Sequence, residues 1–233
     1  FQISAAEFAR VSTLAYEQSR IVLHAGKEGL VVARLSKRLR ALKLPTFTAY
    51  LDHVAAERSG QELSQLIDLL TTNKTHFYRE RPHFDFFAGV LIPEHLARRT
   101  PLRVWSAGCS TGEEPYTISM VLHDTAGGEA ARDARILATD LSSRVLVRAA
   151  AAEYAAEAMT EVPRDVVARH FSAAGAKSGF RVRDEIRAPV RFARLTLLAE
   201  WPLRQPFDAI FCRNVMIYFD RTTQDQLVQR FRQ

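Results

Sequence analysis

The chain has 233 residues, which at roughly 150 residues per domain means one large domain or one domain with a small companion. A composition of 47% hydrophobic and 25% charged residues excludes a disordered chain, and no window approaches the ~18 consecutive apolar residues of a membrane span. Lys and Arg exceed Asp and Glu by 32 to 26, a formal charge of +6 that favours an anionic partner without choosing between nucleic acid, phosphate and an acidic protein surface. The N-terminal segment lacks the basic-then-apolar layout of a signal peptide, and two cysteines make no disulfide framework, so the expected setting is a reducing cytosol.

Ser4, with Glu7 three residues on, forms a capping box for a first helix whose apolar stripe is Phe8, Val11, Leu14 and Ala15. Gly26 and Gly29 interrupt that pattern. A second helix is predicted over Leu30 to Leu44, with Leu35, Leu39 and Leu42 on one side, and Pro45 stops it. Thr48 to Arg58 and Gln61 to Leu70 predict two more helices, separated by Ser59-Gly60. No strand signal precedes Leu102, so the first part of the chain reads as a small all-helical bundle.

From Leu102 the pattern changes. Leu102 to Ser106 is β-prone and runs into the turn Ala107-Gly108-Cys109-Ser110-Thr111-Gly112, with a helix from about Glu114 to His123. Ile136 to Thr139 is a second strand ended by Asp140, followed by a helix from Ser142 to Ala151. Glu153 to Met159 reads as a further helix without a catalytic signature, and Val190 to Leu195 and Phe207 to Cys212 as two more strands. Strand and helix alternating at this spacing predict a parallel sheet with helices on both faces. The charged, β-rich stretch Phe180 to Arg191 predicts an antiparallel excursion from that sheet. The chain ends at Gln233 inside a predicted helix, Thr222 to Arg232, so further C-terminal strands are expected to be missing from it.

A strand, a glycine turn, a helix, a strand and an acid make the frame of a nucleoside-binding α/β fold. Gly108 and Gly112 permit tight turning, and Asp140, 28 residues after Gly112, can accept both ribose hydroxyls. Two acids, Glu113 and Glu114, open the helix where a dinucleotide's pyrophosphate would sit. Negative charge there complements the helix dipole but repels phosphate, which argues against NAD and for a nucleoside with a cationic tail, such as S-adenosylmethionine. Either acid taken singly is equally compatible with a simple helix-capping role.

Four segments taken together resemble the chemotaxis receptor methyltransferases, the CheR family. They are Thr71-Thr72-Asn73-Lys74-Thr75-His76-Phe77-Tyr78-Arg79-Glu80, Trp105 through Tyr116, Ala138-Thr139-Asp140, and Phe207 through Asp220, in the family's order. The resemblance runs from about Phe8 to Arg232. It implies an α/β, Rossmann-like S-adenosylmethionine-dependent methyltransferase fold with a small all-helical N-terminal domain and an inserted antiparallel β-subdomain. The implied division is a helical domain over 1–72, a linker over 73–85 contributing to the cofactor site, and a catalytic domain over 86–233 with the β-subdomain at about 164–192. The implied activity is methylation of glutamate side chains on the cytoplasmic helices of chemoreceptors, giving γ-methyl esters and S-adenosylhomocysteine.

Position by position, the resemblance implies cofactor contacts from Asn73, Thr75, Arg79, Glu114, Asp140, Arg213 and Asn214, and places Tyr218 near the reactive methyl. Thr196-Leu197 stands where relatives carry Asn-Leu; Leu197 can pack on adenine, and Thr196 is the departure. The acceptor carboxylate, with a pKa near ~4.3, is ionised at neutral pH and needs no general base, so catalysis rests on holding oxygen, methyl carbon and sulfur in line. Arg79 either holds that acceptor, oriented by the Tyr218 hydroxyl, or binds the cofactor's own carboxylate.

Leu30 to Leu44 carries Arg34, Lys37, Arg38, Arg40 and Lys43 without an acid. Such a run is either a solvated face or, given the resemblance, a docking surface for glutamate-rich receptor helices. The linking segment Ala173 to Gly179 is short, which favours action independent of a receptor's C-terminal peptide. The seven histidines show no metal-ligand spacing, so no metal is expected, and Cys109 and Cys212 read as small apolar fillers. A nucleic-acid methyltransferase is disfavoured because Arg213-Asn214-Val215-Met216 stands where base-modifying enzymes carry an Asn/Asp-Pro-Pro-Tyr/Phe box, and a non-catalytic cofactor sensor is disfavoured by the retained Arg79, Asp140 and Tyr218. The expectation is a cytoplasmic monomer.

Overall fold

A computed structural model of the chain describes residues 1–71, 73–98, 100–175 and 179–232. They divide into two compact units, Phe1–Thr72 with Asn214–Gln233, and Asn73–Arg213.

The first unit holds α1 (Ala5–Ser19), α2 (Glu28–Ala41), α3 (Phe47–Ala56) and α4 (Gln61–Leu70). The Ser4–Glu7 capping box forms, and the second oxygen of Glu7 accepts from the backbone and hydroxyl of Thr48, both at 2.8 Å, tying α1 to the start of α3. Those donors hold the Glu7 carboxyl down at about 2. The predicted stripe is right in phase, with Val11 and Ala15 buried. α2 ends at Ala41, ahead of Pro45, because Lys43 adopts a left-handed conformation (φ 56°) that closes the helix first.

Beneath α2, Glu62 is 5% exposed and accepts from the Arg38 guanidinium and, at 3.0 Å, from the Tyr50 hydroxyl. The C-terminal helix Arg221–Phe231 belongs to this helical unit rather than to the α/β one. Its capping residue Asp220 accepts from Thr223 N–H and from the Tyr16 hydroxyl, each at 2.8 Å, and Val22 N–H donates to the Tyr218 carbonyl at 3.0 Å. Sequence position alone would have left these residues with the sheet that precedes them.

The second unit opens with a helical run that periodicity did not predict: α5 (Pro82–Phe86), a π turn (Phe87–Leu91) and α6 (Ile92–Leu96). Pro82 starts it, where a missing N–H costs nothing. There follow β1 (Arg103–Ala107), α7 (Glu113–Ala126), α8 (Gly128–Asp133), β2 (Arg135–Asp140), α9 (Ser143–Ala151), β3 (Glu153–Ala155), α10 (Arg164–His170), β4 (Phe171–Ala174), β5 (Gly179–Val182), α11 (Asp184–Arg187), β6 (Val190–Arg194) and β7 (Ala209–Phe211). The main sheet is parallel, in the order β6-β2-β1-β7, with Val104 opposite Ile136 and Ala209, and Ile136 opposite Val190. A separate antiparallel sheet has the order β3-β5-β4. The fold is therefore α/β with a smaller β-subdomain.

Two predicted elements differ. Glu153 to Met159 is not a helix: Ala152, left-handed at φ 56°, ends α9, and the chain enters β3 before a single 3-10 turn over Ala156–Met159. Glu153 and Tyr154 then pair with Arg181 and Phe180, a long-range partnership invisible to local propensity. Phe180 to Arg191 is only partly antiparallel. Past β5, Asp184 and Glu185 open α11, which buries Ile186, and β6 returns to the parallel sheet. The Ser119 hydroxyl of α7 fixes that turn by donating to the Ile186 carbonyl at 2.7 Å.

The core lies on both faces of β1, whose Val104 to Ala107 are buried, as a central parallel strand requires. Trp105 packs edge-on against Trp201 at 4.9 Å and donates to Thr139 Oγ1 at 2.9 Å. Phe77, 1% exposed, wedges between Tyr154 and Phe171, at 4.9 and 5.2 Å, and so anchors the chain entering the unit. No described helix is long and apolar enough to cross a membrane.

Candidate functional site

Ligands of open parallel sheets sit beyond the carboxyl ends of the strands. Here β1 and β2 deliver the glycine turn and Asp140 to that edge. The amides of Gly108 and Cys109 both donate to the Thr139 carbonyl, at 2.8 and 2.9 Å, so the turn bends sharply over the end of β2. Gly112 has φ 98°, and a Cβ there would lie 2.9 Å from the Tyr154 hydroxyl and 3.0 Å from Ala149 Cβ; no other residue fits. That hydroxyl donates to the Thr111 carbonyl at 2.8 Å, so β3 of the subdomain fixes the glycine turn.

Asp140 accepts one backbone N–H on each carboxylate oxygen, from Ser110 and from Ser142, both at 2.9 Å. Each oxygen keeps a second acceptor position. Burial raises the Asp140 carboxyl above its usual range, and the two amides oppose the rise. Leu195 N–H donates to the Asp140 carbonyl at 3.1 Å, which brings Thr196 and Leu197 to this edge. Leu197 is 7% exposed, and Thr196 Oγ1 accepts from Leu198 N–H at 3.4 Å.

The two acids at the start of α7 have different jobs. Glu113 accepts from the Thr111 hydroxyl at 2.7 Å and closes the turn on itself. Glu114 accepts from Ser106 Oγ at 2.7 Å and faces Arg213 Nη1 at 3.3 Å. Burial is the largest influence on Glu114 and lifts its carboxyl to about 7, against the pull of Ser106 and Arg213. Both Asp140 and Glu114 raise the neighbouring Cys109 thiol further, after burial, so the turn carries a negative local field.

Arg213 is the hub of this wall. Besides Glu114 it donates to the Arg79 carbonyl, pairs with Glu80 Oε2 at 3.2 Å, and lies over the Phe84 ring at 5.0 Å. Tyr78 (φ 56°) and Glu80 (φ 55°) flank Arg79 in left-handed backbone, a strained turn for side-chain-bearing residues. Arg79 Nη1 donates to the Lys74 carbonyl at 2.8 Å, Tyr78 N–H to Thr117 Oγ1 at 3.2 Å, and Ser110 Oγ to the Asn73 carbonyl at 3.2 Å. Asn73 and Thr75 are half-buried in the same segment. The structure thus brings Asn73, Arg79, Glu114, Asp140 and Arg213 into one hydrogen-bonded wall around the glycine turn. Ser106, Ser110, Glu80, Phe84 and Tyr154 were missed by motif reading, although Glu80 closes the first quoted motif and Ser106 and Ser110 lie inside the second.

Asn214 (φ 56°) and the half-buried Tyr218 belong to the helical unit, where Tyr218 ends a 3-10 turn, Met216–Tyr218. Of the basic residues on α2, Arg34 donates to the Leu70 carbonyl and Arg38 is held by Glu62, so both serve the unit's own packing. Lys37 and Arg40 are exposed. Residues 176–178 of the linking segment Ala173 to Gly179 lie outside the described residues, as does Thr72 of the first motif.

Comparison with known proteins matches residues 73–233 to the model described as CheR methyltransferase, SAM binding domain, and residues 6–71 to CheR methyltransferase, all-alpha domain. The chain is 42% identical to the chemotaxis protein methyltransferase of Escherichia coli K12 over 98% of its own length and 79% of the relative's. It is 44% identical to that of Klebsiella aerogenes over 98% of its length and 78% of the relative's. It is 41% identical to chemotaxis protein methyltransferase 2 of Pseudomonas aeruginosa over 99% and 82%.

Proposed function

This chain belongs to the CheR methyltransferase family, and we propose that it carries the methyl group of S-adenosylmethionine to glutamate carboxylates of chemoreceptors, leaving γ-methyl esters. The observation that carries this reading is the wall built by Glu114, Arg213 and Asp140: two half-buried acids and a fixed guanidinium at the glycine turn, a donor set that suits a ribose and a positively charged tail and repels a pyrophosphate. The cofactor supplies a methyl group already activated on a sulfonium. The protein's task is to orient it and to exclude water, and Asp140, Leu197, Asn73 and Thr75 are assigned to that work. Ser110 is held by both Asp140 and Asn73, so the 73–85 segment and the glycine turn are set together.

Arg79 is assigned to the acceptor carboxylate. Its Nη1 is anchored on Lys74, and its Nε lies 3.9 Å from Glu80, which leaves Nη2 for a carboxylate oxygen. The roles of Asn214 and Tyr218, carried by the other unit, rest on the motif Phe207–Asp220 alone. Lys37 and Arg40 supply the positive charge that meets the acidic receptor helices. We place the protein in the cytoplasm, acting as a monomer without nucleic acid and without need of the receptor's terminal peptide.

Incubation with methyl-tritiated S-adenosylmethionine and receptor cytoplasmic fragments tests the reading. Label released as volatile methanol by mild alkali supports it, since esters hydrolyse and N-methyl groups do not. Alkali-stable label, or none on any receptor fragment, overturns it.

A further inference from the structure

The end of α7 and the end of α10, away from the glycine turn, bring together His123, Asp124 and His170, and the geometry points to a three-ligand site for a zinc-type divalent ion. Among the described residues this is the one group of three metal-ligating side chains whose donor atoms lie within 4.8 Å of one another. The Asp124 oxygen Oδ1 is 2.9 Å from His170 Nε2 and 4.0 Å from His123 Nδ1, and the two imidazoles stand edge to face at 5.7 Å. Donors around tetrahedral zinc, with bonds of about 2.0–2.1 Å, are spaced roughly 3.3 Å apart, so a small movement of His123, whose side chain is 33% exposed, closes the set.

His170 supplies the second observation. Its ring is 2% exposed, and Nε2, though 2.9 Å from a carboxylate oxygen, makes no hydrogen bond. A buried ring nitrogen that lies 2.9 Å from a carboxylate oxygen, with a second imidazole beside its ring, and is hydrogen-bonded to neither, is open to a metal ion. Arg169 donates to the other oxygen of Asp124 at 3.1 Å and also pairs with Asp165 at 2.8 Å. The second pair offsets its charge, and the first orients the carboxylate so that Oδ1 faces the histidines. Two imidazoles and one carboxylate select zinc over magnesium or calcium and leave a fourth position for water. The ion would clamp α10 and β4, the entry to the antiparallel sheet, to α7. It takes no part in methyl transfer.

The test uses the full chain, free of a polyhistidine tag, stripped with chelator and titrated with zinc chloride by calorimetry, with melting recorded in parallel. The expected result is about one equivalent bound and a melting point higher by roughly 3 °C at saturating zinc. His123→Gln and Asp124→Asn, both at partly exposed positions that the fold tolerates, should each weaken binding at least tenfold, while His83→Gln leaves it unchanged. No binding by the wild-type chain, or undiminished binding by both His123→Gln and Asp124→Asn, overturns the site.

Discussion

Arg213 Nη1 stands 3.3 Å from Glu114 Oε2 at the carboxyl edge of the sheet, and the same guanidinium holds the Arg79 carbonyl. Two segments remote in sequence, the turn around Arg79 and the start of α7, are therefore set against each other by one side chain from the strand β7 end. Substituting Arg213 removes two ion pairs, a backbone clamp and a cation–π contact at once. Arg213 thus positions the acid beside the glycine turn, and its own planar fork is largely occupied in doing so.

Cofactor affinity should depend on pH through Glu114. Burial favours the protonated form and lifts this carboxyl to about 7, well above its unfolded range near 4.5. The folded chain holds a proton that the unfolded chain releases, so this group's contribution to stability is full below 4.5 and falls away as pH rises through 7. A cationic ligand reverses the preference, since its complex favours the carboxylate. Calorimetry should show affinity for S-adenosylmethionine rising by up to about tenfold per unit between roughly pH 6 and 7 and levelling above, with proton release. Glu114→Gln should flatten that profile and lower affinity at pH 8. A flat wild-type profile would assign the acid to packing alone.

Asp140, proposed to hold the ribose, also pins the turn through Ser110 and Ser142. Asp140→Asn is the informative change, because an amide can accept from one of those backbone N–H groups but presents its own donors to the other. The expected loss of S-adenosylmethionine affinity is at least tenfold, with the melting point lowered as well. Full affinity in this variant would mean that another residue holds the ribose.

Arg79→Ala should separate the two roles left open for that guanidinium. Held by Lys74 and close to Glu80, it is anchored independently of any ligand. If it grips the acceptor, methyl transfer falls by more than about tenfold while cofactor affinity changes less than threefold, the signature of a lost transition-state contact. Equal losses would give Arg79 to the cofactor's carboxylate instead.

Much of this was legible in the sequence because it is local. The capping box at Ser4 and Glu7, the helix Gln61 to Leu70 and the strand and glycine turn from Val104 to Gly112 are each written in a short continuous stretch. The segment 153–159 was misread because Tyr154 is a strand residue only by virtue of Phe180, its partner across the antiparallel sheet. The run over 82–96 escaped notice because three short turns, one of them π, carry no single helical period. Motif matching identified Glu114 and Arg213 separately. That they face each other, and that Arg38 pairs with Glu62, are tertiary facts with no local pattern.

That last pairing changes how receptor docking should be tested. Reversing charge at Arg38 strands the buried Glu62 carboxylate beside a second negative charge. A cost of about 3 kcal/mol or more follows from breaking a buried pair on one side, so Arg38→Glu should lose receptor methylation through unfolding, with a lowered melting point. Lys37 and Arg40 stand exposed on the same helix, and the Lys37→Glu, Arg40→Glu double variant should keep both its melting point and its S-adenosylmethionine affinity. Its methylation of receptor fragments should fall severalfold at low ionic strength, through KM rather than kcat, and the gap from the wild-type chain should narrow as salt screens the attraction. Unchanged receptor KM at low salt would make α2 a solvated face.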